Sequence, residues 1–358
     1  MDRILVINTG STSTKVAIFE DERKVCQTNI EHSAEELAAY DSPLDQCQMR
    51  TRAVMGFLDE MGFSPVDFSA IAARGGSYAV LEAGAYEVDE AFLHMVSASK
   101  RTPGASWNSC RIAAEIAGAA GIKAYIYDAV SVDEMYDIAH ISGLPQIPRR
   151  AAVHTLNTKA VARMYAKSAD KRYEDMNFVI AHLGGGISTS AHCKGRIVDL
   201  TADDEGTFSP ERPGRVPCSA LVDLCYSGEY GYKQAKRLMR GQGGLIAYLG
   251  TNSAVEVERR IAAGDSRAKL VYEAMAYQVS KDIGSMAAAM SFLVDRIILT
   301  GGIAHSKMMT TLIKDRVERI APVEIIAGSF EMEALAAGTL RVIRGEEQAR
   351  HWKDSDNQ

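Results

Sequence analysis

The chain has 358 residues, a formal net charge of −6 and 24% charged residues, long enough for two domains that each bury their own core. A mildly acidic balance with Lys and Arg spread along the chain excludes a phosphate-tracking nucleic-acid surface. The longest apolar stretches, 285–290 and 294–299, are too short or too interrupted to span a bilayer, and no basic segment followed by an apolar run opens the chain, so a cytoplasmic protein is expected. The six cysteines and eight histidines form no C-x-x-C pair and no cluster, which argues against zinc or thiol redox chemistry.

Residues 4–19 (ILVINTGSTSTKVAIF) are an apolar burst, a Gly/Ser/Thr turn and a second, alternating run. That pattern predicts a β-hairpin. A third strand fits 24–30, and helical spacing takes over from Ser33, a suitable N-cap before Glu35 and Glu36, towards Met61. The strand predicted over 70–73 ends at Arg74, presented on flexible Gly75-Gly76. A helix over 109–120 is followed by a buried strand over 124–127 that closes on Asp128. Charged residues at strand exits in a strand–helix alternation are α/β patterning, with ligands expected at those ends.

The turn-rich stretch 142–150 (SGLPQIPRR) predicts the main boundary. It divides the chain into a first domain of 1–148 plus 334–358 and a second of 149–333. The second repeats the programme. Residues 178–192 (FVIAHLGGGISTSAH) predict another hairpin, 195–199 a further strand, and 203–217 an irregular loop carrying Glu211 and Arg212. A helical tract over 253–290 precedes a strand at 296–300 that runs into Gly301-Gly302. A strand over 324–327 and a helix over roughly 332–344 finish the pattern. Turns without side-chain bulk let backbone N–H groups close on an anion, and the hydroxyls of Ser11, Ser13 and Thr14 add donors. Two such hairpins suit a nucleotide's phosphate chain.

The duplicated layout, together with 8–15 (NTGSTSTK), 182–188 (HLGGGIS), 208–212 (FSPER), 300–304 (TGGIA) and 331–335 (EMEAL), resembles the butyrate kinases of the acetate kinase family, over roughly 4–347. The resemblance implies two RNase H-like, actin-like ATPase domains with an interdomain active-site cleft. It implies ATP/ADP and Mg2+ as cofactors, a short-chain carboxylate as substrate, an acyl phosphate as product, and a homodimer or larger assembly. By resemblance Arg74, Asp128, His154 and Arg212 match catalytic positions, and Asn8, Ser11, Ser13 and Lys15 the first phosphate segment. His182 with Gly184, Gly185 and Gly186 matches the second phosphate segment, and Gly301, Gly302 and Ile303 the adenosine side. Glu333, with Asn8, matches the magnesium position, and Glu331 is the nearby alternative.

The segment 101–108 (RTPGASWN) departs from the pattern. Where these enzymes have His-Ala-Ser-Asn, this chain has Gly104 in the histidine's place and Trp107 in the asparagine's. Thr9 also stands where a proline is frequent, and the loop between Asp199 and Phe208 is about two residues short. An active butyrate-type kinase, a kinase for another carboxylate and a weakened nucleotide-binding relative therefore all stay open.

Overall fold

The computed structural model describes residues 1–353. The chain forms two compact units, Met1–Asp133 with the segment from Phe330 onward, and Glu134–Ser329. In chain order the first unit contains β1 (Arg3–Thr9), β2 (Ser13–Glu20), β3 (Arg23–Glu31), α1 (Ala34–Ala38), α2 (Cys47–Glu60), β4 (Ala70–Arg74), β5 (Ala85–Glu87), α3 (Glu90–Ala98), α4 (Trp107–Ala120) and β6 (Lys123–Tyr127). The second contains α5 (Thr155–Ser168), β7 (Asn177–Leu183), β8 (Ile187–Cys193), β9 (Arg196–Thr201), α6 (Cys218–Tyr226), α7 (Tyr232–Met239), α8 (Gly244–Leu249), α9 (Ala254–Ala262), α10 (Ser266–Ala289), β10 (Arg296–Gly301), α11 (Lys307–Val317) and β11 (Val323–Ala327). Helix α12 (Glu331–Ile343) returns to the first unit and packs on β1, β4 and β6.

The first sheet runs β3-β2-β1-β4-β6-β5 and the second β11-β10-β7-β8-β9. Strand by strand, β7, β8 and β9 repeat β1, β2 and β3, while β10 and β11 repeat β4 and β6. Both predicted hairpins are antiparallel pairs, with Asn8 opposite Lys15 and His182 opposite Ser188. Ile4, Leu5, Val6 and Ile7 are fully buried, as an apolar run requires when a central strand is covered on both faces. In the first unit α4 packs against β4 and β6, and in the second α10 packs against β7 and β8. Each unit has its own apolar core.

The helix expected over 33–61 is interrupted. Ser33 does cap α1, accepting the Glu36 N–H at 3.1 Å, but the chain restarts at Ser42, whose hydroxyl accepts the Leu44 N–H ahead of Pro43. Proline supplies no N–H for a preceding helical turn, and at the first position of a new one none is needed. The tract expected over 253–290 is likewise two helices, with Asp265 capping α10 through the Ala268 N–H at 2.9 Å. The short helices α6 and α7, which bury no residue, add to the expected elements.

The division of the chain falls before the turn-rich stretch 142–150, which lies inside the second unit. Glu134 already belongs there: it pairs with buried Lys159 at 2.7 Å and accepts the Ile197 N–H at 3.0 Å. At the other boundary the first unit regains the chain at Phe330, four residues before 334, because α12 docks whole. No helix among the described residues is long and apolar enough to cross a membrane.

Candidate active site

In the first unit β1, β4 and β6 are adjacent and parallel, with Ile7 beside Ala73 and Arg74 beside Tyr127. Their carboxyl ends therefore set Asn8, Arg74 and Asp128 in a row. The start of α12 adds Glu331. Asn8 is 4% exposed and donates through Nδ2 to Glu331 Oε2 at 2.9 Å. Arg74 donates to Asn8 Oδ1 at 3.4 Å and lies 3.4 Å from Glu331 Oε1. Both contacts are long, so the guanidinium is loosely tethered.

Asp128 is buried and takes a left-handed conformation, φ 41°, which Asp tolerates better than most residues. It exchanges two hydrogen bonds with Gly84: the Gly84 N–H donates to Oδ1 at 3.0 Å and the Asp128 N–H donates to the Gly84 carbonyl at 3.1 Å. The Arg74-Gly75-Gly76 segment lies directly against this corner. A Cβ on Gly75 would come within 2.5 Å of the Ala129 side chain, and one on Gly76 within 2.7 Å of the Trp107 indole. Trp107 itself is 2% exposed and meets Tyr78 edge-on at 5.2 Å. The residue that stands in the asparagine's place is thus a core side chain that fixes the course of the chain after Arg74.

The Gly/Ser/Thr turn between β1 and β2 closes with the Gly10 N–H donating to the Ser13 carbonyl at 2.8 Å. Ser11 and Thr12 are exposed, Ser13 is half-buried, and Lys15 points out of β2 into solvent. Thr9 is tied to the first turn of α4 and to the segment before it. Its N–H donates to Ser109 Oγ at 2.9 Å and its hydroxyl to the Ala105 carbonyl at 2.7 Å. A proline at position 9 could make neither bond. Glu333, two residues after Glu331, turns instead to Lys24, 2.7 Å away.

The second unit carries the histidines. His154, at the N-cap of α5, stacks on His182 with ring centroids 3.9 Å apart and planes 11° from parallel. His154 Nδ1 meets Ser188 Oγ at 2.9 Å. Asn157 Nδ2 lies 3.0 Å from His182 Nδ1 and 3.2 Å from Thr300 Oγ1. With the amide as donor, His182 Nδ1 is the acceptor and the ring's proton sits on Nε2. That nitrogen overlies the glycine turn between β7 and β8, 3.2 Å from where a Cβ on Gly184 would be. Gly186 is required by Arg212, since its Cβ would lie 2.8 Å from the guanidinium carbon.

Arg212 is ion-paired with Asp203. Burial, with Arg240 nearby, brings its pKa down to about 10, so it is cationic at neutral pH. The loop that carries it is laced down. Ser209 donates its N–H to the Arg212 carbonyl at 2.9 Å and its hydroxyl to the Gly185 carbonyl at 2.6 Å. Buried Asp282, on α10, accepts the Thr207 N–H at 2.8 Å, the Thr207 hydroxyl at 2.7 Å and Arg215 at 2.7 Å. Gly301 is held at φ 89°, with its would-be Cβ 2.8 Å from the Leu183 backbone, whereas Gly302 faces open space. Ile303 packs against the core of this unit.

Residues 134–325 match the model of the acetokinase family. Over 353 residues, 98% of this chain and 99% of the relative, the chain is 46% identical to butyrate kinase 2 of Clostridium acetobutylicum. This chain belongs to the acetokinase family. It is also 46% identical to a probable butyrate kinase 2 of Caldanaerobacter subterraneus subsp. tengcongensis, covering 97% of this chain and 98% of that one. Acetate kinase of Porphyromonas gingivalis superposes with a TM-score of 0.81 at 17% identity over 96% of this chain and all of that one. A propionate kinase of Francisella tularensis gives 0.77 at 19%, over 94% and 99%. The duplicated α/β fold of the actin-like ATPases is thus the fold of this acetokinase.

Several residues around the family's motifs carried no signal of their own. Asn157 and Ser188 orient the stacked histidines, Asp203 holds Arg212, and Asp282 and Ser209 anchor its loop. Ser188, Asp203 and Ser209 sit inside stretches singled out by sequence, but only the folded partners assign them these jobs.

Proposed function

We propose that this chain transfers the γ-phosphoryl group of ATP to the carboxylate of butyrate, reversibly forming butanoyl phosphate and ADP. Carrying this reading is the row Asn8, Arg74 and Asp128 at three adjacent strand ends, in a chain 46% identical, end to end, to a butyrate kinase. A carboxylate is ionised at neutral pH, so its oxygen attacks phosphorus without a general base. The new O–P bond forms as the bond to the β-phosphate oxygen breaks, and no proton moves. The barrier is bringing one anion to another, which positioning and charge neutralisation overcome.

In this scheme Arg74 and Arg212 neutralise the acid and the transferring group, each offering a planar fork of donors. Arg212 already holds a carboxylate, that of Asp203, which an incoming anionic oxygen replaces. His182 Nε2–H and the backbone of Gly184, Gly185 and Gly186 donate to phosphate oxygens, as do Ser11, Ser13 and Lys15 on the first turn. His154 backs His182 through the ring stack. Gly301, Gly302 and Ile303 take the adenosine side. Asp128, fixed by Gly84, orients the reacting acid.

Among the described residues no group of three or more His, Cys, Asp or Glu side chains gathers as a metal cage. A magnesium ion carried by the nucleotide keeps most of its waters and needs few protein oxygens, and Asn8 with Glu331 supply that hard-donor pair. The ion's contribution is to offset charge on the phosphate oxygens. Glu331 is the better candidate of the two glutamates, because Glu333 is engaged with Lys24 at the surface. Glu331→Gln is expected to raise the magnesium concentration for half-maximal rate by about tenfold or more, while Glu333→Gln leaves it unchanged. Equal shifts in a magnesium titration would reverse the assignment.

The direct test is a hydroxylamine trap for acyl phosphate with ATP, magnesium and a panel of short acids. Hydroxamate from butyrate supports the reading; product only from other acids moves the substrate, and ATP binding without product leaves a weakened relative, the outcome that Gly104 favours. One methylene is worth only about 0.8 kcal/mol in an apolar site, so neighbouring acids should also react. ATP as co-substrate places the reaction in the cytoplasm. Self-association is assigned to the second unit, where Ile138, Ile141, Leu144 and Ile147 are 56–80% exposed within ten residues of chain. Sedimentation should give a dimer or larger that Ile138→Glu with Ile147→Glu shifts towards monomer; an unshifted assembly would place the contact elsewhere.

A further inference from the structure

The first phosphate turn has a buried cation behind it. Arg50, on α2, is 0% exposed, a rare state for arginine. Its Nη1 donates to the Ser13 carbonyl at 2.8 Å and to Thr14 Oγ1 at 3.0 Å, and its Nη2 donates to the Ser11 carbonyl at 3.2 Å. Nε and Nη2 both donate to Gln46 Oε1, at 3.2 and 2.9 Å. Among the described residues, every hydrogen-bond acceptor of this guanidinium is neutral. Burial lowers the Arg50 pKa, opposed by the more distant charge of Glu36.

An ionised group in such a place costs stability unless something repays it. A core that needed only shape could use a neutral side chain. In a trans peptide the C=O and the following N–H point in opposite directions. With the Ser11 carbonyl drawn inwards to Arg50, the Thr12 N–H is turned outwards, on the face where Ser11 and Thr12 are exposed. The cation thus aligns the turn's dipoles with their positive ends away from itself and adds its own charge behind them.

We propose that Arg50 is a positioning residue for the polyphosphate of the nucleotide, holding the Ser11–Thr14 turn in its anion-binding form and contributing positive potential through it. The inference rests on the first turn being a phosphate site, as in the proposed reaction. It assigns selectivity for ATP and ADP over AMP to a side chain that touches no ligand.

The experiment is calorimetric titration of ATP, ADP and AMP into the full-length protein and three variants. Arg50→Gln removes the charge and part of the bracing, Arg50→Lys keeps charge with fewer donors, and Gln46→Glu keeps the bracing while setting a carboxylate against the guanidinium. Arg50→Gln is expected to weaken ATP on the order of tenfold or more with AMP unchanged, and Arg50→Lys to recover part of the loss. Gln46→Glu is expected to weaken ATP without lowering Tm. The KM for the acid should stay the same in all three. A merely structural Arg50 would lower Tm and leave the ATP-to-AMP affinity ratio where it was, and that result overturns the proposal. If Arg50→Gln does not fold, an unchanged ratio in Gln46→Glu overturns the charge role alone. Wild-type protein that binds no ATP defeats the proposed function itself, whereas tight wild-type binding with an unaltered ratio in the variants defeats only Arg50.

Discussion

Arg74→Ala and Arg212→Ala should each lower kcat for acyl phosphate formation by about 10³, the scale for losing an arginine that offsets transition-state charge in phosphoryl transfer. The size follows from how little else there is to lose. The nucleophile is ionised already, so no proton transfer shares the catalytic work, and two anions must still meet. Lysine at either position should restore only part of the rate, because a point charge cannot hold two oxygens in one plane. If both arginines act on one transferring group, the double variant should be scarcely slower than either single one, since groups acting as a unit lose their effect together. Multiplicative losses would mean separate tasks. The check is hydroxamate formation under saturating butyrate and ATP, with melting curves alongside. Arg212→Ala leaves Asp203 with Arg240, 3.5 Å away, so a partner for the stranded carboxylate remains. A loss below tenfold in either single variant would remove that arginine from the chemistry.

Much of this architecture was legible because its signals are local. A four-residue apolar burst followed by a Gly/Ser/Thr turn can hardly be anything but a central strand leaving the sheet, and both hairpins were found that way. Arg74 and Asp128 were legible as residues that end such bursts. Glu331 and Glu333 were not separable, since the helix dipole favours a carboxylate anywhere in the first turn. Two residues along a helix is a rotation of about 200°, so one side chain faces Asn8 and the other faces Lys24. Only packing decides which. The division into units differs from the turn-rich stretch for a related reason. Proline and glycine mark 142–150 as a turn, but membership of a unit is set by where Glu134 finds Lys159. Arg50 reads in sequence as one more charge on an amphipathic helix. Its burial depends on the return of β2 beneath α2, which no local pattern announces.

The segment before α4 sets up the second large effect. Gly104→His is expected to raise turnover with butyrate by about 10², the scale for one preorganised donor at a developing charge, if the histidine implied by resemblance is the donor that this chain lacks. Three observations make the substitution readable. A Cβ at Gly104 would meet nothing nearer than Ser106 Oγ at 3.9 Å, and the backbone there does not require glycine. The neighbouring Ala105 carbonyl is bonded to Thr9, so the segment is fixed beside the end of β1, where Asn8 stands. Trp107, the other departure, is sealed in the core and need not move. Trp107→Asn, by contrast, would trade a core indole for an amide at a cost of about 3–5 kcal/mol, which is why the histidine should be restored alone. A gain in kcat with KM for butyrate unchanged would identify a missing transition-state contact. An unchanged kcat with intact folding would mean that no transition-state contact is missing at Gly104, and the chain would stand as a full-rate variant of the family's site.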